Sequence, residues 1–385
     1  MYDVMKQRAD WQEISVDSNW KFLWADVKWV RDYMDNFRFK PNQIVNHFRN
    51  HFELTRKDNL VKNINRMRRQ LQRAGAADEA ERYSFLPSSY VLPGDYGIFV
   101  EHFKAQPDET WIMKPIGKAQ GRGIFLFRKL SEIQQWRKGL DGTPSEGTET
   151  YVVQRYIESP YTIGGKKFDC RLYVLVTSFS PLQVWLYRAG FARFSGTRYE
   201  PSKDTVSNLE MHLTNVSIQK GTASYLSGQD VKWGITELKL FLASKHGMPA
   251  VEKCWARIQA MIIRSLLAVQ KSMIQSKHCV ELYGYDVILD GSLEPWLLEV
   301  NASPSLSATT QQDYQLKYSL VSDMLSVIQQ AKWDMKEEKH VGGFDLVWDG
   351  GPVEQHATSE RTSLLGGWFK PSVNQEEKAS IEDVP

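Results

Sequence analysis

The sequence predicts an α+β protein. Apolar residues recur at helical spacing within residues 56–73, and a second helical region spans roughly residues 236–276. From Trp111 onward the chain changes to strand-like runs separated by glycine-bearing turns. A strand hairpin and a last helix then close the predicted domain near residue 330. Both helical and strand-like stretches are therefore expected within the chain.

Composition places the chain among soluble globular proteins. Its 385 residues suggest two or three domain-sized units, with 42% hydrophobic and 24% charged residues. Three cysteines lie far apart without metal-type spacing, which predicts a reducing compartment and no disulfide framework. No apolar run approaches the roughly 18 residues that span a bilayer, and the N-terminus lacks the apolar core of a signal peptide. We expect a cytosolic or cytoskeletal protein without a membrane partner.

A basic amphipathic helix is predicted at residues 56–73. This segment carries seven basic residues, and Asp58 is its single acidic residue. Its apolar residues recur at helical spacing: Leu60, Ile64, Met67 and Leu71. One interpretation is an ordinary solvated helix face. The other is a surface for an acidic polymer, either a nucleic acid or an acidic polypeptide.

The stretch YGYDVILDGSLEPWLLEVN, residues 283–301, predicts a strand hairpin that turns at residues 290–292. A connecting loop of about four residues would place Asp286 opposite Glu299, and Asn301 would share the face of Glu299. Two carboxylates so close repel each other unless a cation lies between them. Oxygen ligands without His or Cys suit Mg²⁺. The alternative is a strand end that faces solvent.

A second strand carries charges into an apolar region. In KKFDCRLYVLV, the polar residues Lys167, Asp169, Arg171 and Tyr173 alternate with apolar ones. A solvated face would also look like this, but the following YVLV predicts burial on both sides. Charges that enter a buried strand need partners.

The stretch WIMKPIGKAQGRGIFLF combines two strands, Lys114 and a glycine-bearing loop. Backbone N–H groups and lysine ammonium groups could surround phosphates in such a loop. It contains neither a G-K-[ST] sequence nor G-x-G-x-x-G before a helix, so a plain hairpin turn is an equally good interpretation. Together with the carboxylate hairpin, it indicates Mg-nucleotide chemistry.

These elements, in this order, resemble the tubulin–tyrosine-ligase-like family of ATP-grasp ligases. The similarity covers about residues 10–330 and is greatest to the polyglutamylase branch, which the later phrase KHVGGFDLVWDGGPV also resembles. The matching stretches are WIMKPIGKAQGRGIFLF, VVQRYIESPYTIGGKKFDCRLYVLV, LYRAGFARF, HLTNVSIQK and CVELYGYDVILDGSLEPWLLEVNASPSL.

The resemblance implies an ATP-grasp fold, in which two lobes hold a nucleotide between them. On that basis we expect an N-terminal α/β domain with the basic helix in residues 1–105 and a central lobe in residues 106–180. A C-terminal lobe with the metal site would occupy residues 181–330. Residues 331–385 are expected to form a poorly ordered tail.

Carried over position by position, the resemblance also implies the ATP site. Lys114 and Lys167 would neutralise the phosphates, and Asp169 would hold the nucleotide through its ribose. The implied nucleotide-binding residues are Lys114, Gln120, Gly121, Gln154, Arg155, Tyr156, Ile157, Lys167, Phe168, Asp169, Thr214 and Asn215.

Three further groups of residues follow from the same resemblance. Two Mg²⁺ ions would be bound by Asp286, Glu299 and Asn301. The incoming glutamate would be held by Arg193, Lys232 and Lys317. The phosphoryl group in transfer, or the oxyanion of the second step, would lie near Arg171 or Arg188.

The implied reaction is ATP- and Mg²⁺-dependent ligation of free glutamate to the γ-carboxylate of glutamates in tubulin C-terminal tails, through an acyl phosphate. Tubulin or microtubules would be the partner, with accessory subunits as further candidates, at the microtubules of cilia and flagella, in the axoneme or basal body. The alternatives are a glycylase or tyrosine ligase of the same fold, and a non-catalytic microtubule-binding protein. No recognisable nucleic-acid-binding module accompanies the basic helix.

Overall fold

The computed structural model describes residues 1–118, 120–137, 150–200, 205–220, 222, 232–308, 310–334 and 337–353. Within them the helices are α1 (Tyr2–Gln7), α2 (Val27–Tyr33), α3 (Phe52–Thr55), α4 (Lys57–Arg73), α5 (Ala77–Glu81), α6 (Tyr96–Ala105), α7 (Leu130–Arg137), α8 (Leu209–His212), α9 (Val216–Gln219), α10 (Ile235–His246), α11 (Met248–Gln270) and α12 (Gln311–Gln329). A five-residue π-helical turn, Gln330–Asp334, extends α12.

The strands are β1 (Phe22–Leu23), β2 (Ile44–Val45), β3 (Ser89–Leu92), β4 (Trp111–Pro115), β5 (Phe125–Phe127), β6 (Tyr151–Arg155), β7 (Thr162–Ile163), β8 (Lys166–Phe179), β9 (Leu182–Tyr187), β10 (Phe191–Phe194), β11 (Lys232–Gly234), β12 (Glu281–Leu289), β13 (Pro295–Ala302), β14 (His340–Val341) and β15 (Phe344–Asp349). Apart from the parallel pair β1–β2, the paired strands run antiparallel. The mixed helix-and-sheet class predicted from the sequence is therefore confirmed.

Two sheets organise the molecule around the site. The smaller has four strands in the order β3-β6-β4-β5, and aromatic side chains of α6, such as Phe99, pack against one of its faces. The larger follows the order β11-β10-β8-β9-β15-β14, with β12 also paired to β8 and β13 paired to β12. Strand β8 is therefore the strand to which much of the larger sheet is attached.

Strand β8 is buried on both faces, as its YVLV run predicts. Leu172 and Val174 belong to a core that includes residues of α10 and α11, such as Leu238 and Ile262. Tyr173 and Leu175, which point the other way, pack with Leu320, Val321 and Met324 of α12. Charged residues on β8 are consequently enclosed between layers and need partners there.

The predicted hairpin is confirmed in its register. Strands β12 and β13 pair antiparallel, with Asp286 opposite Glu299 and Gly284 opposite Asn301. A bulge between Asp286 and Val287 shifts the register beyond that point. The turn residue Asp290 accepts hydrogen bonds from the backbone N–H groups of Ser292 and Glu294, at 2.9 and 3.0 Å, which stabilises the turn.

The basic amphipathic helix is likewise confirmed as α4. Leu60, Ile64 and Leu71 are buried, as their spacing predicts. Asp58 is also buried, and it accepts hydrogen bonds of 2.8 and 2.9 Å from the guanidinium group of Arg56. The exposed basic residues Arg69 and Arg73 lie near the other end of the helix.

Strand pairing differs from the boundaries expected between the N-terminal domain, the central lobe and the C-terminal lobe. Strand β3 lies in the smaller sheet, although residues 1–105 are expected to form the N-terminal domain. Strand β8 pairs with β9, β10 and β12, so residues 166–179 belong with the following lobe rather than with the central one expected at 106–180. Long-range strand pairing determines both assignments, and no local pattern encodes it.

The expected tail at residues 331–385 needs a correction. Strand β15 pairs with β9 inside the larger sheet, and Phe344 and Val347 are buried. Its apolar residues supply enough burial to hold the segment in the sheet despite the polar, glycine-bearing residues around it. Residues 354–385 of the expected tail lie outside the described residues. None of the described helices combines the length and apolarity needed to cross a bilayer.

Candidate functional site

A cleft of about 830 Å³, counted with its open mouth, lies between the two sheets. The smaller sheet contributes Lys114 from β4 and Gln154 from β6. The larger sheet contributes charged residues from four strands: Lys167, Asp169, Arg193, Asp286 and Glu299. Cations from both sheets and carboxylates from one therefore face the same space.

Lys114 and Lys167 are buried cations in this cleft. The ammonium group of Lys114 donates a 2.7 Å hydrogen bond to Oε1 of Gln154. Burial lowers the pKa of Lys114 to about 8, although the negative charge of Glu299 acts in the opposite direction. Burial lowers the pKa of Lys167 to about 7. The positive charge of Lys114 also lowers this pKa, whereas the negative charge of Asp169 raises it. Both groups would gain from a bound anion.

Lys167 is held by a chain of hydrogen bonds at one side of the cleft. Its ammonium group donates to the hydroxyl of Tyr156 at 2.8 Å and to the backbone carbonyl of His212 at 2.7 Å. The Tyr156 hydroxyl lies 2.9 Å from Nδ1 of His212, and Nε2 of His212 lies 2.9 Å from the carbonyl oxygen of Thr205. Burial lowers the pKa of His212, which favours the neutral ring with its proton on Nε2.

Two arginines and two aspartates form a buried network across β8, β10 and β12. Arg171 donates to both oxygens of Asp286, from Nε at 2.5 Å and from a terminal nitrogen at 2.9 Å. Arg193 pairs with Asp169 and also lies 2.8 Å from Asp286. Burial alone would raise the pKa of Asp286, but the charges of Arg171 and Arg193 hold it well below its usual range.

The predicted metal ligands lie together on the hairpin. The amide Nδ2 of Asn301 lies 3.4 Å from Oδ2 of Asp286. Asp286 is paired with Glu299 on the neighbouring strand. Among the described residues, no three His, Cys, Asp or Glu side chains form a metal-binding group on their own. Two carboxylates and one amide fit Mg²⁺, which takes its other oxygens from phosphates and water.

The sequence interpretation missed Lys57 of α4. Its ammonium group lies 3.1 Å from a carboxylate oxygen of Glu299, so this helix reaches the cleft. The available signal was periodicity, because Lys57 precedes Leu60 by three residues and Ile64 by seven on the apolar stripe. A lysine on the buried face of a helix needs a partner inside the protein.

The glycine-bearing loop packs against the HLTN region. Gly121 has φ +77°, and a Cβ built there would lie 2.7 Å from the Cδ1 atom of Ile218. The hydroxyl of Ser217 donates to the carbonyl oxygen of Gln120 at 2.7 Å. Thr214 donates a 2.5 Å hydrogen bond to Asp169. The loop and this region therefore line the cleft together. The positive φ at position 121 favours glycine there.

A separate cationic group lies on β11 and α12. The ammonium groups of Lys232 and Lys317 each lie 3.0 Å from the carboxylate of Asp313. Both also lie over the ring of Phe191, at 4.9 and 6.0 Å from its centre. These two predicted glutamate-binding lysines are thus brought together on one carboxylate.

Most of the predicted site residues line the cleft, and their roles stay predictions. Those that line it are Lys114, Gln120, Gly121, Gln154, Arg155, Tyr156, Ile157, Lys167, Asp169, Arg193, Thr214, Asn215, Asp286 and Glu299. Phe168, Arg171, Arg188, Asn301, Lys232 and Lys317 are not among the cleft-lining residues.

Two of the predicted site residues that do not line the cleft, Phe168 and Arg188, contact other parts of the protein. Phe168 is core, because it occupies the other face of β8. Arg188 donates to Asp345 of β15, with its Nε at 2.8 Å, and to the carbonyl oxygen of Gly342 at 2.8 Å. The guanidinium group of Arg188 is therefore engaged by the C-terminal hairpin.

Comparison with known proteins shows the family that the chain matches and several similar proteins. Residues 36–338 match the tubulin-tyrosine ligase family. The chain is 43% identical to the probable tubulin polyglutamylase TTLL9 of Mus musculus, over 96% of this chain and 86% of that protein. It is 48% identical to the probable tubulin polyglutamylase ttll-9 of Caenorhabditis elegans, over 91% and 84%. With the probable alpha-tubulin polyglutamylase Ttll1 of Tetrahymena thermophila, it shares 39% identity over 93% and 91%.

Proposed function

The chain belongs to the tubulin-tyrosine ligase family. From this membership and from the residues that line the cleft, we propose that it is a tubulin polyglutamylase with an ATP-grasp arrangement of lobes. It ligates glutamate to the γ-carboxylate of glutamates in tubulin tails. The observation that carries the proposal is the pairing of Asp286 with Glu299 in a cleft that also holds Lys114 and Lys167. Its relatives, which are named as polyglutamylases, support the choice of substrate.

The chemistry explains why the site is rich in cations. A carboxylate is a poor electrophile, so ATP first phosphorylates the acceptor γ-carboxylate, yielding an acyl phosphate and ADP. The α-amine of free glutamate then attacks the acyl carbon, the bond to phosphate breaks, and the amine loses a proton as the amide forms. Phosphoryl transfer depends on positioning and charge stabilisation more than on a protein nucleophile.

Residues of both sheets hold the nucleotide in this proposal. Lys114 and Lys167 neutralise phosphate charge, because each is buried and gains a partner when an anion arrives. Lys57 adds a third cation beside Glu299. Asp169 is bound by Arg193 and Thr214, and in this proposal it accepts a hydrogen bond from the ribose.

Asp286, Glu299 and Asn301 would hold Mg²⁺. Its positive charge would compensate the negative charge of the triphosphate. Arg171 contacts Asp286 rather than lining the cleft, so we assign it to orienting that carboxylate. Arg193 lines the cleft and is the arginine that faces the reacting groups in this proposal.

Mass spectrometry of tubulin tails tests the function. Purified protein is incubated with microtubules, ATP and Mg²⁺, and with glutamate, glycine or tyrosine in separate reactions. We expect mass increments of glutamate only. Incorporation of glycine or tyrosine in its place would identify a glycylase or a tyrosine ligase. Microtubule binding without any ATP-dependent increment would indicate a non-catalytic protein.

ATP affinity should depend on pH through Lys167. This ammonium group faces Tyr156, the His212 carbonyl, Asp169 and Lys114, and its pKa of about 7 rises when phosphates bind. Binding above pH 7 therefore takes up a proton. We expect the Kd for ATP to rise by up to about tenfold per pH unit between pH 7 and 8, and more steeply between pH 8 and 9, where Lys114 adds a second group with a pKa of about 8.

Titration calorimetry in buffers of different ionisation enthalpy measures both the Kd and the proton uptake. A Lys167→Met protein serves as the comparison, with weaker ATP binding and a shallower pH dependence. An ATP affinity that stays constant from pH 7 to 9 in the unaltered protein would contradict this assignment.

The exposed basic end of α4 is proposed to contact acidic tubulin. Reversing Arg69 and Arg73 to Glu should weaken microtubule binding roughly tenfold at low salt, because each exposed charge contact contributes about 0.2–1 kcal/mol. Co-sedimentation with microtubules measures this, and the difference should shrink as salt rises, since exposed charges are screened. Lys28→Glu with Arg31→Glu, on α2, makes the same charge change and should leave binding intact. Equal effects of the two double variants would exclude a specific role for α4.

A cytoskeletal location is part of the same proposal. We expect the protein at the microtubules of cilia or flagella. Tubulin is the proposed macromolecular partner. A tagged chain that fails to colocalise with axonemes or basal bodies would remove this part of the proposal without affecting the chemistry.

A further inference from the structure

A buried pair formed by His47 and Glu281 lies outside the cleft, and the proposed function gives it no role. His47 lies between β2 and α3, and Glu281 begins β12. The Nδ1 atom of His47 is 2.9 Å from Oε1 of Glu281, and the exposed fractions of the two residues are 1% and 0%. Such a pair calls for an explanation, because burying ionisable groups costs free energy unless each of them has partners.

Hydrogen bonds fix the direction of the His47 ring. Oε2 of Glu281 accepts hydrogen bonds from the backbone N–H of Phe48 and from the hydroxyl of Tyr283, each at 3.0 Å. This carboxylate therefore acts as an acceptor, and it holds the ring proton of His47 on Nδ1. Nε2 of His47 then accepts a hydrogen bond from the hydroxyl of Ser303, at 2.9 Å. The histidine thus links the first strand of the hairpin, β12, to the residue that directly follows the second.

Ser303 has an unusual backbone conformation next to a proposed metal ligand. Its φ is +50°, in the left-handed region that residues other than glycine rarely adopt. It directly follows β13 and lies two residues after Asn301. A conformation of this kind persists only when the surrounding contacts determine it. Ser303 is exposed, so the contact that holds it is the hydrogen bond to His47 rather than packing in the core.

The turn at Ser303 folds the chain back over the neighbouring strand. A Cβ built on Gly284, the residue opposite Asn301, would lie 3.0 Å from Cβ of Pro304. The amide nitrogen of Asn301 lies 3.3 Å from the carbonyl oxygen of Gly284 and 3.4 Å from Oδ2 of Asp286. Both contacts use the amide nitrogen, so a cation would take the amide oxygen. The direction of that oxygen depends on how the end of β13 is held.

The N-terminal segment 47–57 contacts the hairpin on both sides of Asn301. Its first residue binds the turn that follows β13, and its last, Lys57, lies 3.1 Å from a carboxylate oxygen of Glu299. Between these two contacts, Leu54 of α3 is buried in the same core as Val300 of β13. The proposed metal ligands of β13 are therefore held by a segment that is distant in sequence.

We propose that His47 is a positioning residue: held by Glu281, it fixes Ser303 and thereby directs the amide oxygen of Asn301 at the proposed Mg²⁺. This inference rests on the proposed function and adds to it a residue of the N-terminal part of the chain. His47 itself contacts neither the nucleotide nor the metal in this arrangement. Its effect reaches the site through one hydrogen bond and two residues of β13.

Ser303→Ala tests the proposal, because it removes the hydroxyl from an exposed residue and leaves the His47–Glu281 pair in place. The Kd for a non-hydrolysable ATP analogue with Mg²⁺ should rise about tenfold, whereas the Kd for the same analogue in EDTA should change less than about twofold. Calorimetric titration measures both values. A change of both by the same factor, or of neither, would overturn the proposal, because a merely structural role does not distinguish the metal.

His47→Asn tests whether the effect passes through Ser303. The amide of Asn can still face Glu281, but it has no atom that reaches the position of Nε2. Mg²⁺-dependent binding should weaken about as much as in Ser303→Ala, and the double variant should bind no more weakly than either single variant, since both remove the same hydrogen bond. Effects that multiply in the double variant would show that His47 acts independently of Ser303. If His47→Asn does not fold, Ser303→Ala decides alone.

Ser292→Ala is the matched control on the same hairpin. Ser292 is also exposed, and its hydroxyl donates a 2.6 Å hydrogen bond to Asp290, at the turn away from the proposed ligands. Its Kd values with Mg²⁺ and in EDTA should equal those of the unaltered protein. An equal loss of Mg²⁺-dependent binding in Ser292→Ala and Ser303→Ala would count against the proposal.

These titrations contain no tubulin, which separates this inference from the proposed function. If the unaltered protein binds the analogue more tightly with Mg²⁺ but ligates no amino acid, the ligase proposal fails, and the Kd ratio between Ser303→Ala and the unaltered protein still decides the inference. If the unaltered protein binds the analogue equally well with Mg²⁺ and in EDTA, there is no metal to direct Asn301 towards, and the inference fails as well.

Discussion

Glutamate incorporation into microtubules should fall on the order of 10²–10³-fold when Glu299 is replaced by Gln, a loss typical of removing one electrostatic contact to the reacting groups. The substitution keeps the shape of the side chain and removes its negative charge. It therefore weakens the proposed Mg²⁺ site and leaves the ammonium group of Lys57 without its ion pair. Initial rates with labelled glutamate across a range of Mg²⁺ concentrations measure the effect, and half-maximal rate should require more Mg²⁺.

Glu294→Gln provides the matched control on the same hairpin. Glu294 pairs with Arg257 and lies outside the cleft, so its loss should leave the rate within about twofold of the unaltered protein. The Lys57–Glu299 pair is partly exposed, and stability should change by less than about 1 kcal/mol in either variant. A Glu299→Gln protein with an unaltered rate and Mg²⁺ dependence would exclude Glu299 as a ligand.

Arg171→Met should lower the free energy of unfolding by about 3–5 kcal/mol, the cost of leaving a buried charge without its partner. Asp286 receives two hydrogen bonds from Arg171, and burial would make its charge unfavourable without them. Arg193 remains beside Asp286 but is shared with Asp169, so it compensates in part only. Urea unfolding measures the loss.

A double-mutant cycle isolates the pair. Asp286→Asn should also destabilise the protein, and the double variant should cost at least about 1 kcal/mol less than the sum of the two single variants. Strict additivity would mean that the contact contributes nothing. Arg264→Met is the control for activity, because Arg264 pairs with Glu79 outside the cleft. It should lose stability while the folded protein keeps its rate, whereas Arg171→Met should lose both.

Local patterns predicted the parts of the site that local geometry determines. The turn at Asp290 and the two-residue period of strands were sufficient to place Asp286 opposite Glu299. The helical period was sufficient to identify α4 and three of its buried apolar residues, Leu60, Ile64 and Leu71, whereas Met67 is only partly buried. In each case, residues close in sequence define both the element and the face.

Features that depend on distant partners were not predictable in the same way. Arg188 lies in a motif, yet its guanidinium group is bound by Asp345, a residue of a segment expected to be disordered. The contact of Lys57 with Glu299 joins a helix near the start of the chain to a hairpin near its end. Such contacts arise from tertiary packing, which periodicity does not encode.

The position of β15 matters for any shortened form of the chain. Strand β15 lies between β9 and β14, so cutting the chain after residue 330 would remove both outer strands and bare the hydrogen-bonding edge of β9. Such an edge readily pairs with other chains. Trp185 and Leu186 would then border solvent, and aggregation would become the dominant fate of the fragment.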